Sequence, residues 1–255
     1  MTHFFEELKF RNEPLYYFGS ICLVAAVICL LLIWLKPIQV LGTSAWYKPF
    51  KFFLSTTIFV WSMAWYAHHL GNSSAVLLYS WGLIVLFTLE DVYIVVQAAR
   101  GLTSHFNVSN SFYSGMWALM AFAAVTISVW TFIVSFPFFI RNFPELPLAY
   151  VWGIRFGLIV FFIFSLEGLA MGARLAHTVG TTDGSPGLPV VNWSKAHGDL
   201  RVAHFLGMHA LQLLPLLGFF VLRNAFTISV VSVLYLLICV FTFAQALAGK
   251  PFLRF

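Results

Sequence analysis

Seven apolar stretches, each about as long as a bilayer is thick, dominate this chain of 255 residues. A helix needs roughly 20 apolar residues to cross the hydrocarbon, and the runs over 15–35, 50–69, 74–99, 112–136, 148–172, 202–221 and 226–247 meet that length. The runs are continuous, without the two-residue alternation of a membrane barrel. The sequence therefore predicts an all-α, polytopic membrane bundle of seven helices, with 1–255 forming a single domain. Asp, Glu, Lys and Arg make up only 9% of the chain, against about a quarter in a soluble domain. The 14 Lys and Arg stand singly between apolar runs, so no basic face tracks a nucleic acid. Cys22, Cys29 and Cys239 lie inside apolar stretches without a C-x-x-C pair, which supports neither a disulfide framework nor a thiolate zinc site.

Orientation follows from the basic residues. Seven spans put Lys36, Lys48, Lys51, Arg100, Arg174, Lys195, Arg201, Lys250 and Arg254 on one face, and Lys9, Arg11, Arg141 and Arg223 on the other. Basic residues collect on the cytoplasmic side, so the expected topology has the N-terminus outside, the C-terminus cytoplasmic, and the protein in the inner membrane. Sequons begin at Asn72, Asn107 and Asn192. The last two fall on the expected cytoplasmic face. Lys48 and Lys51 beside Trp46 and Tyr47 read as an interfacial anchor with snorkelling stems. His68 and His69 close the second span as a solvated pair, favourable at a helix C-terminus.

The connection 174–201 is long and rich in Gly, Pro and Asp, yet holds Leu188, Val190, Val191 and Trp193. It is expected to be either an ordered lid on the cytoplasmic mouth or a surface loop. The fifth span carries Gly153, Gly157, Gly168 and Gly172 on one stripe, suited to close helix packing within the bundle or to a homo-oligomer seam. Pro215 is expected to kink the sixth span or to free a carbonyl within it.

Ionisable groups at membrane depth are costly and mark functional sites by default. Glu90 lies about 15 Å inside the boundary near Arg100, Glu167 about 10 Å inside Arg174, and His209 about 12 Å inside Arg201, at 1.5 Å per residue. Arg100, His105, His177, Asp199 and His204 gather nearer the mouth. The third and fifth spans echo one another: each has a deep Glu, an Arg at its end and a His just beyond.

Imidazole nitrogen with carboxylate oxygen suits a divalent transition metal such as zinc or iron. His209, His204, His177, His105, Glu90 and Glu167 are the candidate ligands. Glu90, Glu167, Arg100 and Asp199 are the candidate catalytic groups of an enzyme acting on a small lipid-soluble substrate or on membrane lipid. In the alternative, Glu90 and Glu167 serve a proton-coupled transporter or channel, with the histidines relaying protons. A third arrangement pairs Glu90, Asp91 and Glu167 with Arg100, Arg155 and Arg174, as in a structural or receptor subunit. Haem b would need His204 or His209 facing His105 or His177. Retinal is not expected, because 226–247 holds no Lys. His204 and His209 are one residue too far apart for the His-x-x-x-His box of membrane desaturases.

The strings KPFKFFLS (48–55), QAARGLTSHFN (97–107), AHTVGTTDGSPGLP (176–189) and GDLRVAHFLGMHALQLLPLL (198–217) resemble a group of bacterial seven-span membrane proteins. That resemblance implies that the mouth and its loops are the distinctive part, and it transfers no activity and no role to any residue.

Overall fold

A backbone placed in hydrocarbon must satisfy its own hydrogen bonds, and the long elements of this chain are all helices. The computed structural model describes residues 2–71 and 73–253, so Asn72 of the first sequon and Arg254 of the charge count lie outside the described residues. In chain order the helices are α1 (Thr2–Arg11), α2 (Glu13–Leu35), α3 (Tyr47–Ala67), α4 (Ser74–Ala99) and α5 (Ser111–Ser135). After them come α6 (Pro137–Ile140), α7 (Leu148–Arg174), α8 (Arg201–Leu216) and α9 (Ala225–Leu247). Two short antiparallel hairpins interrupt them, β1 (Gln39–Val40) with β2 (Thr43–Ser44) and β3 (Thr178–Val179) with β4 (Gly198–Asp199).

Among the described residues, six helices are long and apolar enough to cross a membrane: α2, α4, α5 running on into α6, α7, α8 with the turn that extends it, and α9. The chain is therefore an all-helical protein of multi-pass membrane type. Of the seven expected spans, the second is the one outside this set. α3 has 21 residues, but Lys48, Lys51, Ser55, Thr56 and Thr57 dilute its apolar content. The chain forms two compact units, Met1–Val134 and Ser135–Phe255.

In the first unit α2 opens with Asn12, whose side chain accepts from the Leu15 amide, and with Pro14 in the first turn. Both are standard start signals. α3 lies close against α2 because Gly19 has no side chain; a Cβ there would stand 2.2 Å from Trp61 Nε1. Trp61 donates to the Tyr16 carbonyl at 3.3 Å, and Thr57 donates to the Gly19 carbonyl at 3.1 Å. Farther along, Cys29 packs with Ala45, Trp46, Phe50 and Phe53. α4 meets α5 through the Tyr79 hydroxyl, 2.8 Å from Thr131 Oγ1, and through Trp130 lying on Gly82.

The second unit is built on the contact of α7 with α8. A Cβ at Gly153 would fall 2.6 Å from the Leu214 carbonyl oxygen, and one at Gly157 would fall 2.9 Å from that of Ala210. Gly207 of α8 reciprocates by admitting the Phe164 side chain, and Gly218 sits on the Ala149 backbone. The glycine stripe expected as either packing or an oligomer seam is thus covered by α8 of the same chain at Gly153 and Gly157. α9 completes the core with Cys239, beside Val160, Phe164, Ala203, Ala210 and Leu214. Beyond Pro215 the chain leaves α geometry and makes a π-helical turn, Leu217–Leu222.

The long connection is ordered. Thr178 pairs with Asp199 and Val179 with Gly198, and a further bridge joins Gly187 to Ser194. Gly198 presses on the Ala246 carbonyl of α9, and the Trp193 ring meets those of Phe205 and Phe252. The loop therefore caps the end of its own unit, where α7 finishes and α8 begins.

Adding a methyl group where two backbones touch forces them apart. Gly153→Ala is expected to lower stability by about 1–3 kcal/mol. Gly115→Ala in α5, where an added Cβ meets nothing within 4 Å, should be neutral or stabilising by up to ~1 kcal/mol. Thermal unfolding of the two detergent-solubilised variants, run beside the parent, reads this difference.

Candidate functional site

Two polar clusters lie among the apolar helices, one in each unit. The first begins where α4 ends. Gly101, at φ +69°, takes the left-handed position that an L residue resists, and the amides of Gly101 and Leu102 bond back to the Ala98 and Gln97 carbonyls. This helix stop turns the chain so that buried Gln97 donates to the Thr103 carbonyl at 3.1 Å. His105 follows. Its ring lies among those of Phe52, Phe106 and Trp117, with centroids 5.5, 6.2 and 5.5 Å away. Its Nε2 stands 3.9 Å from Glu90 Oε1, too long for a hydrogen bond. Burial, and then the Lys48 ammonium, push the His105 pKa well below the ordinary value, so the ring is neutral at pH 7. Lys48, expected only as a snorkelling anchor, thus acts on this cluster. Its ammonium also lies 5.8 Å from the Phe52 ring centre.

Beside Glu90, Asp91 is the buried acid that sequence reasoning left out of the site. It is 2% exposed, and neither carboxylate oxygen has a hydrogen bond among the described residues. Thr56 of α3 is close to it. The signal was present in the adjacency of two acids inside a 26-residue apolar helix. Glu90 and Gln97, seven residues apart, share a face of the helix, whereas neighbours point about 100° apart, so that face does not include Asp91. Arg100 reaches Gln97 Oε1 at 3.5 Å, at the end of the same helix.

The second cluster joins α7 to α8. The Glu167 side chain is 5% exposed, and His204 Nδ1 lies 3.3 Å from its Oε2. Neither oxygen of Glu167 has a hydrogen bond among the described residues. His204 Nδ1 is also 2.7 Å from the Phe164 carbonyl oxygen. A carbonyl only accepts, so the proton is on Nδ1, and in the neutral ring the lone pair is on Nε2. Small residues make this possible: Gly168 leaves room for the His204 ring, and Gly207 for Phe164. One turn beyond His204, His209 stacks edge-on against Phe205 with centroids 4.4 Å apart, and it lies beside the Gln212 side chain.

The loop residues are engaged in holding the loop. Asp183 accepts from the His177 and Thr178 amides at 3.2 and 2.9 Å, and its carboxylate is 3.1 Å from His177 Nδ1. Asp199 is 1% exposed and accepts from the Ser194 amide, the Arg201 amide and the Arg201 guanidinium. Arg201 also donates to the Asn192 carbonyl.

Within each unit, members of the expected set have the following neighbours. Glu90 has His105 beside it, Glu167 has His204, and His177 has Asp183. The echo between spans is partial: the His after α4 meets its Glu, whereas the His after α7 turns into the loop. Among the described residues no group of three His, Cys, Asp or Glu comes together as a metal site requires. Neutralisation by arginine, the third arrangement expected from sequence, is not what the described residues do. Arg155 donates to the Phe138 carbonyl at 2.7 Å and lies over Trp152, and among the described residues no Arg forms a salt bridge with Glu90, Asp91 or Glu167, whereas the Lys48 ammonium acts on Glu90 through space. Comparison with protein-family models, with curated proteins and with solved structures finds no match to this chain.

Burial works to raise the pKa of Asp199, but its bonds to Arg201 and Ser194 outweigh burial and hold it below the ordinary value. A carboxyl whose folded pKa is depressed stabilises the fold above its unfolded pKa, and that stability is lost as pH falls through the folded one. Protection of the Ser194 and Gly198 amides from hydrogen exchange is expected to be complete above pH ~4 and to fall below it. Asp199→Ala should remove about 1.5–3 kcal/mol of that protection at pH 7.

Proposed function

We propose that this protein is a proton-linked transporter or channel, in which the pair of Glu167 and His204 takes up and releases the coupled proton. The observation that carries this reading is a buried carboxylate without a hydrogen bond, 3.3 Å from an imidazole whose orientation the Phe164 carbonyl fixes. A carboxyl and a ring nitrogen at that distance tie their charges together. An ionised Glu167 gains from an imidazolium beside it, and a neutral acid gains nothing. Since Nδ1 is committed to Phe164, a proton adds to the neutral ring at Nε2, and the imidazolium gives it up from there. Ionisable groups inside membranes mark ion and proton pathways. Glu90 beside His105 repeats the pairing in the first unit, with neutral His105 as an acceptor.

The topology we propose has seven crossings, with α3 as the seventh. α3 is about 30 Å long at 1.5 Å per residue, and it follows α2 from Gly19 and Trp61 at one end to Cys29 and Phe53 at the other. Thr56 and Thr57 are buried, and Thr57 donates to the Phe53 and Gly19 carbonyls. With seven crossings, the excess of Lys and Arg supports a cytoplasmic C-terminus and an inner-membrane location.

A second reading, a metal-dependent enzyme acting on a lipid-soluble substrate, is favoured by the same His204 geometry. Metal-binding histidines commonly donate their other ring N–H to a carbonyl or carboxylate, as His204 donates to Phe164. Stoichiometric metal in purified protein, absent from His204→Ala, would favour it over the proton reading.

Proton flux into liposomes under an imposed pH gradient tests the first reading. The parent protein should acidify a trapped pH dye, and Glu167→Gln should slow this by at least ~10-fold, since the group acts on the path itself. Equal flux in the two proteins, or flux no faster than in empty liposomes, overturns it. Orientation is read separately. Ala196→Cys, on the exposed part of the long loop, is expected to react with an impermeant maleimide only after cells are opened.

A further inference from the structure

At the other end of the first unit, α1 is fastened by one guanidinium. Arg11 bonds to Glu7 Oε1 through Nε at 2.7 Å, to the Trp65 carbonyl through Nη1 at 3.3 Å, and to His69 Nε2 from the same Nη1 at 3.1 Å. The guanidinium lies over the Trp65 ring at 4.0 Å, and Phe4 stacks on that ring at 5.6 Å. Phe5 meets Trp61, Phe10 meets His68, and Leu8 is wholly buried. Sequence alone reads His68 and His69 as a solvated pair, whereas the structure puts them under α1.

Arginine has only donors and stays charged in proteins. His69 Nε2 must therefore be the acceptor, so the ring is neutral with its proton on Nδ1. Adding a proton at Nε2 replaces that acceptor with a donor and sets an imidazolium against a guanidinium 3.1 Å away. The charged and titratable groups set against His69 include Arg11 of α1 and His68, with ring centroids 5.7 Å apart, and Glu7 stands 2.7 Å from Arg11 Nε. Glu7 is already engaged by Arg11, and Glu13 at the start of α2 is engaged by Lys9. His68 supplies no negative charge. Its own pKa is held below the ordinary value by burial and by Arg11, against the opposing pull of Glu7.

We propose that His69 and Arg11 form an acid-released clamp: α1 stays docked on the end of α3 while His69 is neutral, and it detaches when His69 takes up a proton. The clamp is independent of the proposed proton path, since it stands on α1, α3 and the turn His68–Leu70 that follows α3. Docking is complete above the His69 pKa and is lost as pH falls through it.

Hydrogen exchange of the full chain in detergent tests the clamp, with protection of the α1 amides corrected for intrinsic rates at about pH 7.5 and about pH 5, either side of the ordinary histidine range. In the parent, α1 protection should drop roughly tenfold or more at the lower pH, the scale of a lost charge-assisted bond, while α2 and α9 stay protected. His69→Gln keeps an acceptor that does not titrate in this range, so its α1 should stay protected at both values. Arg11→Ala should leave α1 unprotected at both. Parent protection that does not change with pH overturns the clamp. So does a His69→Gln variant that still releases α1 in acid, or an Arg11→Ala variant that stays protected.

Discussion

An unpaired peptide group in hydrocarbon costs several kcal/mol, and in this chain that penalty constrains everything else. It confines the long elements to helices and pushes each polar side chain to find a partner on its own or a neighbouring helix. Most do so locally. Ser20, Thr57, Ser80, Ser128 and Ser229 all return a hydroxyl to the carbonyl four residues back. The exceptions are few, and Asp91 and Glu167 stand out among them as acids with unbonded oxygens. Against so uniform a background, these carboxylates are where chemistry is most economically sought.

Close helix packing positions the second-unit pair. Lipid is as apolar as leucine, so membrane helices associate through shape more than through hydrophobic burial. Gly153 and Gly157 bring α7 onto the backbone of α8, and Gly207 brings α8 onto Phe164. At that separation the Phe164 carbonyl, which a helix would normally keep to itself, lies within reach of a histidine on the neighbouring helix. The His204 tautomer is in this sense a product of the glycines.

The long helices were legible in the sequence, because runs of 20 apolar residues leave little choice of element, whereas the short, more polar α1 was not expected. Both ends of 74–99 agree with α4, and the other spans shift by only a few residues. The partners of the acids were not legible. Depth can be counted along a helix, but facing depends on which neighbour arrives, and a helix turns about 100° per residue. Hence His105 met Glu90 by way of a glycine turn whose path depends on Gln97 and Thr103. Asp91, weighed only as a charge-pairing residue, was left out of the site because it lies about 100° round the helix from Glu90. The order of the long loop was equally hidden, since it rests on Asp183 and Asp199 each gathering amides from several residues away.

The division into two units also bears on how the chain is made. A ribosome delivers the N-terminal part first, and compact regions generally fold as they emerge. Glu90, Asp91, His105 and the α1 fastening all fall within Met1–Val134, and Glu167 with His204 within the stretch after it. His105 stands beside Glu90 within the first stretch, and His204 beside Glu167 within the second. Each can close while its own segment leaves the ribosome, so buried carboxylates need not wait, exposed to lipid, for residues not yet translated.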